Sequence, residues 1–173
     1  MKPSKLVADV PDLDAPQGEV MSITGQAAGP TTEFLRFVSA SPVSARIGGF
    51  TEDMRAEGSG TLDLKLVMPL RHVVDTAVDG AFRFSANRLW LGTVLPVLEQ
   101  AGGTVRFSAE DLSIPQAQAR FLGEPLRLSA QTGKDGAVRF DASGGVSAAA
   151  LRALAEGAAL DHLSGRADWR AQI

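Results

Sequence analysis

Few residues in this chain could carry chemistry. Its two histidines, His72 and His162, fall in no His-x-x-x-His or glutamate-containing zinc pattern, and there is no cysteine to complete a site. His72 follows a strand end and His162 a helix, so both read as exposed or capping side chains. Asp12-Leu13-Asp14 starts like a calcium loop but lacks the glycine and the downstream bidentate glutamate. Gly133-Lys134 lies outside any Gly-x-x-x-x-Gly-Lys-Ser/Thr pattern, and a hairpin explains the pair. The esterase elbow Gly-x-Ser-x-Gly does not occur, and nothing brings two of the 20 acidic residues into one cleft. The sequence argues against an enzyme and asks for no metal or cofactor.

What does recur is a short phrase. It reads Gly80-Ala81-Phe82-Arg83-Phe84, then Gly103-Thr104-Val105-Arg106-Phe107, then Gly136-Ala137-Val138-Arg139-Phe140, with a weaker echo at Gly165 to Ala171. Each copy is expected to be a glycine turn followed by a strand, because period-2 alternation puts both apolar residues on one face and the arginine on the other. Strand units of this kind predict a meandering antiparallel sheet.

The elements that must carry these faces follow in order. Lys5 to Val10 alternate weakly, Pro11 to Gly18 is a polar turn, and Glu19 to Gly25 is a strand of soft sidedness. After Pro30 a short helix is predicted, with Thr31 or Thr32 as N-cap, Glu33 in its first turn, an apolar stripe Phe34, Leu35, Phe37, Val38, and an end before Pro42. Ser44 to Gly60 reads as a loop leading into a strand. Thr61 to Met68 is the clearest strand, with Leu62, Leu64, Leu66 and Met68 inward, Asp63 and Lys65 outward, and Pro69 at its end.

Val78 to Phe84 and Asn87 to Leu91 read as a strand pair around Ser85-Ala86-Asn87, with Leu89 and Leu91 on one face and Trp90 on the other. Pro96 to Gln100 reads as one helical turn stopped by Gly102-Gly103. Strands are expected at Val105 to Ala109, Leu112 to Ile114, Ala117 to Leu122 and Leu126 to Gln131, the last joined to Ala137 to Ala142 by a hairpin whose Asp135-Gly136 suits positive φ. Ser147 caps a helix predicted to run to Glu156 and stop near Gly157, and a last strand spans Gly165 to Ile173.

Two readings of the apolar face stay open. Leu62, Leu64, Leu66, Phe82, Phe84, Leu89, Val105, Phe107, Leu126, Leu128, Val138 and Phe140 could make an inner core sealed by the two helices. Alternatively, two helices are too few to cover so long a sheet, which leaves an apolar groove for a ligand, partner or membrane. A chain of 173 residues can bury a sizeable core, and its net charge of −3 offers no footprint for nucleic acid. No run reaches the roughly 18 apolar residues of a membrane span, and the first residues lead into no signal-peptide core.

Several phrases also carry a resemblance. Val10-Pro11-Asp12-Leu13-Asp14, Ala40-Ser41-Pro42-Val43, Ile47-Gly48-Gly49-Phe50, Leu62-Asp63-Leu64-Lys65-Leu66, Pro69-Leu70-Arg71-His72, Asn87-Arg88-Leu89 and Ser164 to Arg170 resemble an internal segment of the YhdP family of AsmA-like proteins. The resemblance implies a much longer Gram-negative envelope protein, anchored by an inner-membrane helix, whose periplasmic stack of curved β-units forms a groove for phospholipid moving between the inner and outer membranes. This chain would be one excised β-rich segment, 1–173, with Met1 an artificial start.

The expected architecture is therefore a mostly β (α+β) fold, a curved antiparallel meander forming a groove, with about two short helices. Acyl chains would lie on the apolar face, while Arg83, Arg106, Arg127 and Arg139 would form the solvated outer wall rather than phosphate ligands. Expected partners are phospholipid acyl chains and neighbouring β-units of the full-length protein. Unpaired edge strands could make the isolated piece dimerise. The alternative is a non-catalytic scaffolding module of the envelope that binds another protein.

Overall fold

The computed structural model describes residues 2–9, 20–40, 51, 53–70, 76–92, 95–108, 110–154 and 164–173. His72, His162, Asp12, Asp14, Gly157 and, of the loop expected over Ser44 to Gly60, residues 44–50 and 52 lie outside them. The elements in chain order are β1 (Lys2–Asp9), β2 (Val20–Pro30), α1 (Thr31–Ser39), β3 (Met54–Glu57), β4 (Ser59–Pro69), β5 (Ala77–Leu91) and β6 (Leu98–Ser108), then β7 (Leu112–Phe121), β8 (Glu124–Thr132), β9 (Val138–Ser147), α2 (Ala148–Leu154) and β10 (Arg166–Gln172).

All strand pairs are antiparallel, in the order β1-β2-β4-β5-β6-β7-β8-β9-β10, so the sheet is an open, curved meander as the alternation predicts. The strand β3 pairs the far half of β5, from Met54 opposite Leu91 to Glu57 opposite Arg88, while β4 pairs the near half. Thus β3 and β4 continue one another along the same edge of β5, interrupted at Gly58. The loop expected up to Gly60 is strand from Met54 onward, and its alternation of half-buried Met54, exposed Arg55, buried Ala56 and exposed Glu57 has the period of a strand.

The interruption is where α1 is fastened. Gly58 has φ +115°, and a Cβ there would collide with the amide of Asn87. Opposite it, β5 carries a bulge: Ala86 sits at φ 54°, and the register shifts between Phe84 and Asn87. The bulge turns the Asn87 side chain under the helix, where it is fully buried and donates from Nδ2 to the Thr31 hydroxyl. Ser85-Ala86-Asn87 is therefore not a hairpin turn, and β5 is one 15-residue strand.

Thr31 is already the first helical residue, with Pro30 before it and no side-chain cap. Neither threonine acts as the expected N-cap, because both are drawn to the sheet. Thr31 donates its backbone N–H to the Gly58 carbonyl at 3.0 Å. The Thr32 hydroxyl donates to the Ala56 carbonyl at 2.7 Å. The helix ends before Pro42 as expected, and its inner side, Phe34, Leu35 and Val38, is buried. At the other helix the expected cap holds, since Ser147 Oγ accepts the Ala150 N–H at 3.2 Å.

Two more sequence expectations give way. Pro96 to Gln100 is not a helical turn; from Leu98 it belongs to β6, Leu98 pairing with Leu89 and with Phe121 while Gln100 takes φ 52° at a register irregularity. Gly80 and Gly103 are not turns either, for both lie inside strands, and of the three repeat glycines Gly136 alone, at φ 79°, turns a hairpin. The reason is the pairing of the first two repeats with each other. Phe82 faces Val105, Gly80 faces Phe107, and Phe84 faces Gly103. Each copy's glycine meets the other's phenylalanine, and a Cβ at Gly80 would overlap the Phe107 ring.

Candidate functional site

The registers assign every strand residue to a face. Residues directly across from one another share a face, so Leu62, Phe82 and Val105 lie in one row, and Thr61, Arg83 and Thr104 lie in a row of the opposite face. Arg83, Arg106, Arg127 and Arg139 are all exposed and point away from the phenylalanines, as the alternation predicts. On that polar side Arg83 pairs with Asp63, which also accepts from Gln26 Nε2 at 2.7 Å. Arg88 reaches Glu57 at 3.3 Å and lies 5.1 Å from the centroid of Trp90.

The apolar side divides into two regions. Over β4 to β6, α1 closes it: Phe34 stacks on Phe82 with ring centroids 3.8 Å apart and planes 3° from parallel, and its centroid lies 6.1 Å from that of Phe107. Leu62, Phe82 and Phe107 are buried there with Phe34 and Val38, and Leu64, Val78, Phe84 and Val105 pack around them. These candidates form a hydrophobic core, each aromatic ring hiding area worth about 1.5–3 kcal/mol. Leu66, paired with Ile23 and Val78, and Leu89, paired with Ala56 and Leu98, are half-buried beside that core.

Over β7 to β10 the same face continues as an apolar floor. Ala117 is opposite Leu128, Leu128 opposite Ala142, and Ala142 opposite Ala171. One row along, Ile114 is opposite Ala130, and Ala130 opposite Phe140, whose N–H and carbonyl both bond to Ile173. Leu128, Val138 and Phe140 are partly exposed, Ile173 is 87% exposed, and Leu126 is buried. The alanines leave the floor low between its larger side chains.

One end of this floor is stoppered by a pair that sequence reasoning did not single out. Trp169, on β10, places its ring 6.0 Å from that of Phe121, on β7, in an edge-to-face contact. Three strand spacings of about 4.8 Å separate these strands, so the contact requires the sheet to curl toward its apolar face. The Trp169 ring passes over Gly144, where a Cβ would come 3.3 Å from Cζ2, and its Nε1 donates to the Gly145 carbonyl at 3.3 Å. The signal in the sequence is a Gly-Gly pair inside alternation; the tryptophan that needs it becomes visible only from the register.

One hairpin holds a displaced carboxyl. Asp135 accepts both guanidinium nitrogens of Arg139, at 3.0 and 2.6 Å, and the Ala137 N–H at 3.2 Å. The Arg139 hydrogen bonds, then the Ala137 N–H, hold its carboxyl below the ordinary aspartate value, and the same pairing raises Arg139. Among the described residues no group of three His, Cys, Asp or Glu could hold a metal, and no helix is long and apolar enough to cross a membrane. The arrangement offers contact to apolar matter on one side and to water and ions on the other.

Neither a curated protein nor a solved structure matches the chain. The family model described as "YhdP protein" does match it, over residues 1–173. An open antiparallel meander with one apolar face, matched from end to end by that model, belongs to the YhdP family of AsmA-like bacterial envelope proteins.

Proposed function

We propose that this chain is a non-catalytic, periplasmic segment of a longer, inner-membrane-anchored protein, and that its apolar face carries phospholipid acyl chains between the inner and outer membranes. The observation that carries the reading is the floor of β7 to β10. Leu128, Val138, Phe140 and Ile173 stand partly or largely exposed on a curled apolar face whose other half α1 covers. A tail laid along it gains about 0.8 kcal/mol per buried CH₂ without any specific polar contact. Neighbouring β-units of the full-length protein would extend the same face, with head groups in water at its rim. The groove role falls to Leu128, Val138 and Phe140, with Leu126 beneath the Trp169 end, rather than to Phe82 and Phe107.

The test is native mass spectrometry with lipid extraction on chain purified from a bacterial host, beside Leu128→Glu and Phe140→Glu variants that keep the fold by circular dichroism. Co-purified phospholipid that both substitutions remove supports the carrier reading. Folded wild-type protein without lipid overturns it for this segment and favours the scaffold reading, in which the floor docks another envelope protein.

A further inference from the structure

We infer that the polar side of the sheet holds a phosphate-binding site formed by Arg127, Ser143 and Arg170. Ser143 on β9 is directly opposite Arg127 on β8 and directly opposite Arg170 on β10, so the three lie in one cross-strand row with the hydroxyl between two guanidinium groups. With strands about 4.8 Å apart, the two arginine backbones stand about 10 Å from each other. That gap lets two long side chains close on a tetrahedral oxyanion between them. Both arginines border a depression of about 370 Å³ that Gln116, Ser129, Asp141 and Ser143 also line. Its size falls within the range of small-molecule clefts, about 300–1,000 Å³.

Arg83, Arg88 and Arg139 on the same side of the sheet each have a carboxylate partner, and so does Arg166 near the end of β10. Arg127 and Arg170 have none among the described residues. Arg55, Arg106 and Arg120 on that side also have no carboxylate partner among the described residues, so what singles this depression out is that two such arginines flank one row. The one acid in the lining, Asp141, accepts from Gln172 Nε2 at 2.6 Å, and Asp168 lies a row away outside the depression. In a chain of net charge −3, this is a local surplus of positive charge. The guanidinium fork matches phosphate bidentately, and a serine hydroxyl donates to the remaining oxygen. The site faces away from the apolar floor, so it does not depend on whether that floor holds lipid. It also gives Arg127 a ligand role in place of the inert outer wall expected from alternation.

The experiment is a ¹⁵N NMR titration of the full chain with inorganic phosphate, ionic strength held constant with chloride, for the wild type and for Arg127→Gln, Arg170→Gln and Arg106→Gln. A parallel sedimentation assay uses phosphatidylglycerol vesicles against phosphatidylcholine vesicles. Saturable binding is expected, weakened at least tenfold by Arg127→Gln and by Arg170→Gln, and unchanged by Arg106→Gln, which removes an exposed arginine elsewhere on that side. Vesicle binding with the same dependence assigns the phosphate to a lipid head group, and phosphate binding without vesicle binding assigns it to a solute. Saturation by neither probe, or binding that survives both substitutions or falls equally with Arg106→Gln, overturns the site.

Discussion

The ring of Phe107 occupies the space that a Cβ on Gly80, its direct cross-strand partner, would need. Glycine here is set by the residue across the sheet, not by its own backbone angle. Gly80→Ala should therefore overpack a closed core and cost about 1–3 kcal/mol, lowering the thermal midpoint by about 2–12 °C for a chain of this size. Gly102→Ala is the control, since a Cβ there meets neighbours only at 3.4 Å and beyond. Circular dichroism melts of the two variants should separate clearly; equal midpoints would show that Phe107 yields freely.

The buried amide of Asn87 gives a second prediction. Its Nδ2 bonds Thr31, while its Oδ1 has no partner. Asn87→Asp would put a carboxylate where burial favours the neutral form, so its folded pKa lies above the unfolded one. The variant is then least destabilised at acid pH. Its penalty grows as pH rises past the unfolded aspartate value, reaching about 3–5 kcal/mol near neutrality. Urea denaturation at several pH values checks the slope, and a flat profile would mean that the site is wet.

The sign is reversed at Asp135. Its folded pKa is depressed by Arg139, so the stabilisation is present above the unfolded aspartate value and is lost as pH falls through the lowered folded value. Because both groups are exposed, the readout is local. An NMR titration of the Asp135 carboxyl should give a midpoint below the ordinary aspartate range, and Arg139→Gln should move it back up. A midpoint that does not move would put the depression on the Ala137 N–H alone.

Phenylalanines of the same repeated phrase should behave differently. Phe107→Ala removes a ring from the cluster beneath α1 and should cost about 3–5 kcal/mol. Phe140→Ala, on the partly exposed floor, should cost markedly less. Paired chemical denaturation curves test this, and a similar loss at both positions would mean that the floor is as closed as the core.

Much of this arrangement could be read from the chain. Alternation alone separates Leu62, Phe82 and Phe107 from Asp63, Arg83 and Arg106, because side-chain direction in a strand is a local property. The Asp135-Gly136 hairpin and the Ser147 cap were legible for the same reason. What alternation could not say is what lies opposite. Gly80 and Gly103 look like turns until Phe107 and Phe84 are placed across from them. Ser85 to Asn87 looks like a hairpin until Asn87 is seen fixing Thr31, and Leu98 looks helical until it pairs with Leu89 and Phe121. The split of the apolar side into core and floor depends on where α1 lands. The Trp169 contact with Phe121 depends on how far the sheet curls. Both are properties of the assembled sheet.

The repeated phrase behaves like a palindrome. Read antiparallel against its own second copy, it returns the same complement at both ends, glycine to phenylalanine and phenylalanine to glycine. A slip of two residues, the smallest that keeps the faces, would either set Phe82 against Phe107 and Phe84 against Val105, or leave Gly80 facing Val105 with Phe107 moved onto Val78. Each misprint is penalised twice over, by crowding in one place and by an unfilled gap in another. The phrase thus proofreads the alignment of β5 with β6, while its third copy, whose Gly136 turns a hairpin and whose Phe140 faces Ala130, draws its register from the turn instead.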